Sequence, residues 1–225
     1  MCGRFTLFEP DKMLARSFDL GEIPRLGPRF NIAPGQPVAA VRTASSGGTR
    51  ELALLRWGLI PSWAKDPSIG GRLINARAET VGEKPAFRNA FRRRRCIVPA
   101  NGFYEWQRRE GRKQPHYIRM RDGRMFAIAG LWDRWEGEDG SVAETCAILT
   151  TAANAVLAPV HDRMPMILEH GMYDRWLDIS AGDPGSLSPL LVPFPPEEMV
   201  AFPVGFRVND PSVDDEGCIA PLPRN

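Results

Sequence analysis

A cysteine at position 2 differs chemically from one anywhere else in a chain. Removal of Met1, which commonly occurs when the next residue is this small, would leave Cys2 with an α-amine and a thiol on adjacent carbons. That 1,2-aminothiol can attack one electrophilic carbon twice. The amine condenses with an aldehyde to an imine, and the sulfur then adds to the same carbon, closing a five-membered thiazolidine. Free α-amines titrate near roughly 8 and thiols near about 8.5, so both reactive forms are expected near neutrality with little tuning. The alternative is that residue 2 is simply a small residue at a frayed end, and the downstream residues decide between the two.

Three further places could do chemistry. Glu105 lies in NGFYEW between Tyr104 and Trp106. In a dry aromatic setting its pKa would rise and make it a proton donor near neutral pH, whereas beside one of the many arginines it would stay ionised. Asn75 and Arg77, in INARAET, share one face if that segment is extended, offering an amide to a hydroxyl or carbonyl and a guanidinium to a phosphate. A surface salt bridge is the plainer reading of the same pair. Of the 3 histidines, His116 after Pro115 and His170 in EHG read as surface residues. His161, in PVHDRMP, is flanked by residues that resist regular structure and is the better acid/base candidate, against a structural role.

The elements that must carry these groups are short. Residues 10 to 19 read as a small amphipathic helix, and the loop GPRFNIAPGQ precedes a strand at 37–42. The SSGG turn at 45–48 and a strand at 51–57 complete a hairpin. RWGLIPSWAKDPSIGGRLINARAET shows no period, and its aromatic anchors argue for a functional site wall over disorder. A helix is expected over 80–94. Runs at 96–100, 103–107, 116–120, 126–131 and 142–150 form a meander of antiparallel strands curled into a barrel-like sheet. Short helices are expected from Ala152 to Leu157 and from Met172 to Leu177, then a proline-rich surface connection at 183–196 and a last strand at 202–208.

The totals suit one domain over residues 1–225 with a sizeable core, 43% of the residues being hydrophobic. No run of 18 apolar residues occurs, and Arg4 stands too close to Met1 for a signal peptide, so a soluble, cytoplasmic protein is expected. Cys2, Cys96, Cys146 and Cys218 show no C-x-x-C pair, which argues against structural zinc; a reducing compartment argues against disulfides, leaving Cys96 and Cys146 as buried thiols. A net charge of +2 excludes whole-molecule attraction to a polyanion as an argument. The bias is in the kind of cation, 25 arginines against 4 lysines, which suits bidentate phosphate contact or reflects coding preference. The run Arg92 to Arg95 is either a solvated helix end or a nucleic-acid contact.

MCGRF, FNIAPGQ, RWGLIPSW, INARAET, NGFYEW, HDRMP and VGFRVND, in this order and across nearly the whole chain, resemble the abasic-site-processing proteins of the SRAP type. The resemblance implies a single α+β domain with a curled, barrel-like, mostly antiparallel sheet flanked by short helices. It also implies a crosslinking enzyme with lyase-like imine chemistry, which captures abasic sites in single-stranded DNA as a stable covalent adduct. Matched by motif, Cys2 resembles the crosslinking residue, Asn75 a residue orienting the opened sugar, Glu105 the acid/base for ring opening and imine formation, and His161 its partner. Arg4, Arg77 and Arg163 resemble phosphate ligands. Asn31, Pro34, Trp63 and Thr150 resemble residues lining the DNA channel. Some relatives carry a second aromatic after Trp63 where Ala64 stands here, so weaker stacking is expected at that edge, each base–aromatic stack being worth about 1–3 kcal/mol.

The implied partners are single-stranded DNA containing abasic sites and, where such strands arise, the replication machinery. A monomer without cofactor, metal or membrane attachment is expected, cytoplasmic and nucleoid-associated when bound to damaged DNA. Other classes stay open. N-terminal-nucleophile amidotransferases also begin Met-Cys-Gly, but no acceptor domain follows here to use ammonia. The resemblance allows a peptidase using Cys2 and His161, or a self-releasing activity. A non-catalytic single-strand binder would be indifferent to Cys2→Ala.

Overall fold

The computed structural model describes residues 2–44, 47–109, 111–180, 187 and 189–223. Its first half runs β1 (Arg4–Leu7), α1 (Asp11–Ser17), β2 (Arg29–Ile32), β3 (Pro37–Thr43), β4 (Arg50–Trp57), β5 (Asn75–Arg77) and α2 (Arg88–Arg93). There follow β6 (Arg95–Ala100), β7 (Gly102–Arg109), β8 (Arg112–Met120), β9 (Phe126–Glu136), β10 (Val142–Ala152), β11 (Arg163–Pro165), β12 (Ile167–Leu168), α3 (Tyr173–Leu177) and β13 (Met199–Pro203).

These strands make two sheets. The first is antiparallel, in the order β13-β8-β7-β1-β2. In the second, β10, β4, β3, β6 and β9 pair in a ring, because β9 returns to β10; β11 and β12 flank it and β5 adds alongside β10. The expected α+β fold with a curled, barrel-like sheet is therefore present, with the curl carried to closure. It is not wholly a meander, since β10 runs parallel to both β4 and β5. β6 is buried at every position and β9 over its first six. Such continuous burial is expected where one face looks into a barrel and the other is covered. Inside, a Cβ at Gly130 would stand 2.9 Å from Cys96 Sγ, so only glycine fits between those strands.

Phe5 of β1 meets Trp57 of β4 edge-on, ring centroids 5.3 Å apart, and the Trp57 indole N–H donates to Ile74 O at 2.9 Å. One apolar core runs across both sheets from Cys2 to Met199. Cys96 and Cys146 are buried in it. Among the described residues, no helix is long and apolar enough to cross a membrane.

Several local expectations are corrected. Only 88–93 of the expected 80–94 helix forms; Pro85 lacks an N–H and biases Lys84 away from helix, so turns precede it. No helix begins at Ala152, which still pairs with Arg163. Asn154 Oδ1 instead accepts the N–H groups of Val156 and Leu157, both at 3.1 Å, and closes a turn. The last strand is 199–203, in register with β8 from Met199 opposite Met120 to Pro203 opposite His116. Ser45 and Ser46 of the SSGG turn, and part of the 183–196 connection, lie outside the described residues.

Candidate active site

The reactive end of the chain is held where the two sheets meet. β1 pairs with β7, Arg4 opposite Tyr104 and Phe5 opposite Phe103, and the same register carried one step back sets Gly3 beside Glu105. From the second sheet, β5 lies parallel to β10 with Asn75 opposite Ile148 and Arg77 opposite Thr150. Asn75 Nδ2 donates to Cys2 O at 2.8 Å, bridging the sheets and fixing the backbone of Cys2. Asn75 Oδ1 is buried and makes no hydrogen bond among the described residues, which leaves an acceptor for a ligand's hydroxyl or amine.

Cys2 is fully buried, its Sγ 3.8 Å from Arg4 O. Burial, then the neighbouring Glu105, push its thiol well above the ordinary value. Burial thus disfavours the thiolate of this cysteine where Met1 is still attached. Glu105 is 2% exposed, and burial raises its carboxyl above the usual carboxylate range against the opposing effect of His161. Burial, not an arginine, governs this carboxyl; Tyr104 and Trp106 pack on the opposite face of β7, so the aromatic setting expected from the motif is not what dries it.

His161 Nδ1 accepts the N–H of Arg163 at 3.0 Å and stands 2.9 Å from Asp162 Oδ1. Arg163 spreads its fork over Glu79, Nη1 to Oε1 at 2.7 Å and Nη2 to Oε2 at 2.9 Å. Nη2 also donates to Thr150 O at 2.7 Å, and Thr150 is wholly buried. Arg77 is exposed; its carbonyl accepts the N–H of Thr80 at 3.1 Å, while its side chain makes no hydrogen bond or ion pair among the described residues and, after the Arg163 hydrogen bond, its charge helps hold the Glu79 carboxyl below its ordinary value.

Arg4 and Asn31 enter a different network. Arg4 Nη1 donates to Asn31 Oδ1 at 2.7 Å and to Val208 O at 2.5 Å. Asn31 Nδ2 reaches Asp210 O at 2.9 Å and Val213 O at 2.7 Å. The amide of Asn31 is fully engaged in seating the C-terminal segment. Pro34 and Trp63 are exposed, Trp63 by 57%. Ala64 is buried beside Ile60 and Trp135, so position 64 faces the core here and bears on packing, not on a stacking edge. The basic run also divides: Arg95 lies inside, donating to Phe91 O at 2.7 Å and Trp176 O at 2.5 Å, and Arg94 pairs with Asp133.

Two residues not singled out in the sequence belong here. Glu79 holds Arg163, and its place in INARAET, two positions after Arg77, was the available signal. Gln107 Nε2 donates to Pro159 O at 2.9 Å and steadies the segment leading to His161; alternation along β7 puts it on the same face as Glu105.

Residues 1–211 match the family described as SOS response associated peptidase (SRAP). The chain belongs to the SRAP family. This SRAP chain is 42% identical over 215 residues to abasic site processing protein YoaM of Bacillus subtilis, covering 94% of each. To abasic site processing protein HMCES of Xenopus tropicalis it is 30% identical, covering 90% of this chain and 68% of that protein. A crystal structure of a protein from Bacteroides thetaiotaomicron superposes with a TM-score of 0.87 at 28% identity, over 98% of this chain and all of the other.

Proposed function

We propose that this SRAP protein processes abasic sites in single-stranded DNA, and that it does so by forming a thiazolidine crosslink through Cys2 once Met1 is removed. The observation that carries the reading is the Asn75 to Cys2 hydrogen bond, which holds the future N-terminus near a buried carboxyl whose pKa burial raises. Abasic deoxyribose is mostly a closed hemiacetal. Glu105 in its acid form assists opening of the ring to the aldehyde and protonates the hydroxyl that leaves as water when the Cys2 amine forms the imine. The Glu105 carboxylate so produced takes the proton of the raised-pKa thiol as sulfur adds to the imine carbon. Glu105 ends protonated, and the net change is loss of one water. Sulfur closure removes the iminium that would otherwise allow β-elimination, so the strand is protected, not cut. Arg77 and Arg163 suit the flanking phosphates, and exposed strands at replication are the setting in which such protection matters.

Intact-mass spectrometry tests this. Processed protein mixed with a single-stranded oligonucleotide carrying one abasic site is expected to give protein plus DNA minus water without reductant. An adduct that persists in Cys2→Ala discards the reading. The family's description as a peptidase supports a second reading, peptide hydrolysis with Cys2 as nucleophile. It requires a thiolate, which burial opposes here; cleavage of a peptide substrate lost in Cys2→Ala, without any DNA adduct, would favour it.

A further inference from the structure

The loop that carries Trp63 has no regular structure, yet it is anchored at every second residue by side chains of the barrel. Thr145 Oγ1 accepts the N–H of Ile60 at 2.8 Å. Asp133 Oδ2 accepts the N–H of Ser62 at 2.9 Å. The Trp135 indole N–H donates to Ala64 O at 2.6 Å. These three side chains share one face of the β9–β10 pair, since Asp133 lies opposite Thr145 and Trp135 opposite Ala143. They act as a strand edge made of side chains, holding the backbone at residues 60, 62 and 64. Ile60 and Ala64 are buried against Trp135, and Ala64 N closes a turn on Pro61 O at 2.9 Å. Trp63 is turned outward beside an open cleft bordered by Pro85, Arg88 and Asn89.

Asp133 is 2% exposed and Thr145 not at all. A buried carboxylate is costly unless paired and hydrogen-bonded. This one is paired with Arg94 and also accepts the N–H of Arg134 at 2.9 Å, so its geometry is determined from three sides. A flexible loop would lose conformational freedom when its tryptophan stacked on a base, weakening the net interaction; a loop already held in one conformation avoids that loss.

We propose that Asp133, Thr145 and Trp135 are positioning residues, which hold residues 60–64 in a single conformation so that Trp63 meets a nucleobase of single-stranded DNA as a fixed platform. This rests on the reading of Trp63 as a base-stacking residue of the proposed DNA site. The action is indirect: none of the three touches DNA, and their effect passes entirely through Trp63.

A double-mutant cycle reads that dependence. Affinity for an undamaged single-stranded oligonucleotide is measured by fluorescence anisotropy, which keeps binding separate from crosslinking. Trp63→Ala is expected to raise Kd about 10-fold, the loss of one stack. Asp133→Ala and Thr145→Val are each expected to raise Kd roughly 3- to 10-fold in the presence of Trp63 and less than about 2-fold in the Trp63→Ala background. Thr145→Ser, which keeps the hydroxyl that receives Ile60 N–H, should restore binding. Thr145→Val preserves side-chain volume and carries the test if Asp133→Ala fails to fold. Equal losses in both backgrounds, or no loss with Trp63 present, overturn the proposal while leaving the stacking role of Trp63 intact. If Trp63→Ala itself leaves Kd unchanged, the stacking reading fails and the positioning role falls with it. Crosslinking through Cys2 is judged separately by mass and is untouched by any of these results.

Discussion

Glu105 joins stability and chemistry in one side chain. Burial lifts its carboxyl above the usual range, so the folded state holds the proton more tightly than the unfolded chain. The sign follows: the group favours folding below its ordinary value, and that contribution is lost as pH rises to the raised value. Glu105→Gln, neutral at every pH, should therefore gain stability relative to wild type as pH rises through that window. Melting temperatures across pH measure it, and a constant difference would show that Glu105 ionises in the fold as easily as in the open chain. The same variant cannot move a proton, and crosslink formation at saturating DNA is expected to slow about 100-fold or more while DNA affinity stays within a few-fold. Equal losses in both would make Glu105 a positioning group instead. The motif drew attention to Glu105, but for the wrong reason: Tyr104 and Trp106 alternate onto the other face of the strand, and the burial of Glu105 comes from the packing of the two sheets. Glu79 was not readable in that way, because its role depends on Arg163 lying 84 positions away.

At the scale of elements, strands with strong alternation or continuous apolar character were legible, and the β3–β4 hairpin has Arg42 opposite Glu51 as a short connection requires. Segments whose backbone groups are satisfied by distant side chains were not. The 58–72 stretch is the plainest case, with Ile60 N–H, Ser62 N–H and Ala64 O taken by Thr145, Asp133 and Trp135. Its entry is equally constrained. Gly58 has φ 132°, and a Cβ there would stand 2.7 Å from Gly70 O. Gly58→Ala is expected to destabilise the protein by about 2 kcal/mol or more through backbone strain and collision. For a chain of this size that corresponds to a fall of roughly 4–8 °C in Tm, measurable by calorimetry. An unchanged Tm would mean that the two glycine segments can separate without consequence.

On the scale of the whole molecule, residues 206–219 return to pack against the first strands. Asp214 accepts the backbone N–H groups of Phe30 and Asn31 and pairs with Arg29. Asn31 and Arg4 grip the carbonyls of Val208 to Val213. Trp106 Nε1 donates to Asn209 Oδ1 at 2.8 Å, which connects this clasp to the strand that bears Glu105. Asp214→Ala should leave two backbone donors without acceptors and cost roughly 1.5–3 kcal/mol in urea unfolding. It should also make residues 205–219 more susceptible to proteolysis; unaltered stability and cleavage would show that the clasp does not hold the segment.

The amino-acid order alone determined the side chains available to this SRAP protein: a cysteine at position 2, a carboxyl between aromatic residues, an amide and a guanidinium in alternation, and the barrel-forming strands. Those are properties of residue type and of periods two to four positions long, which a linear reading resolves. Tertiary structure decided which groups meet. It brought Asn75 from one sheet to Cys2 at the edge of the other, diverted Asn31 into the C-terminal clasp, and turned Ala64 inward while leaving Trp63 outside. It also raised the thiol and the carboxyl together, because desolvation depends on how much protein surrounds a group and not on its neighbours in sequence.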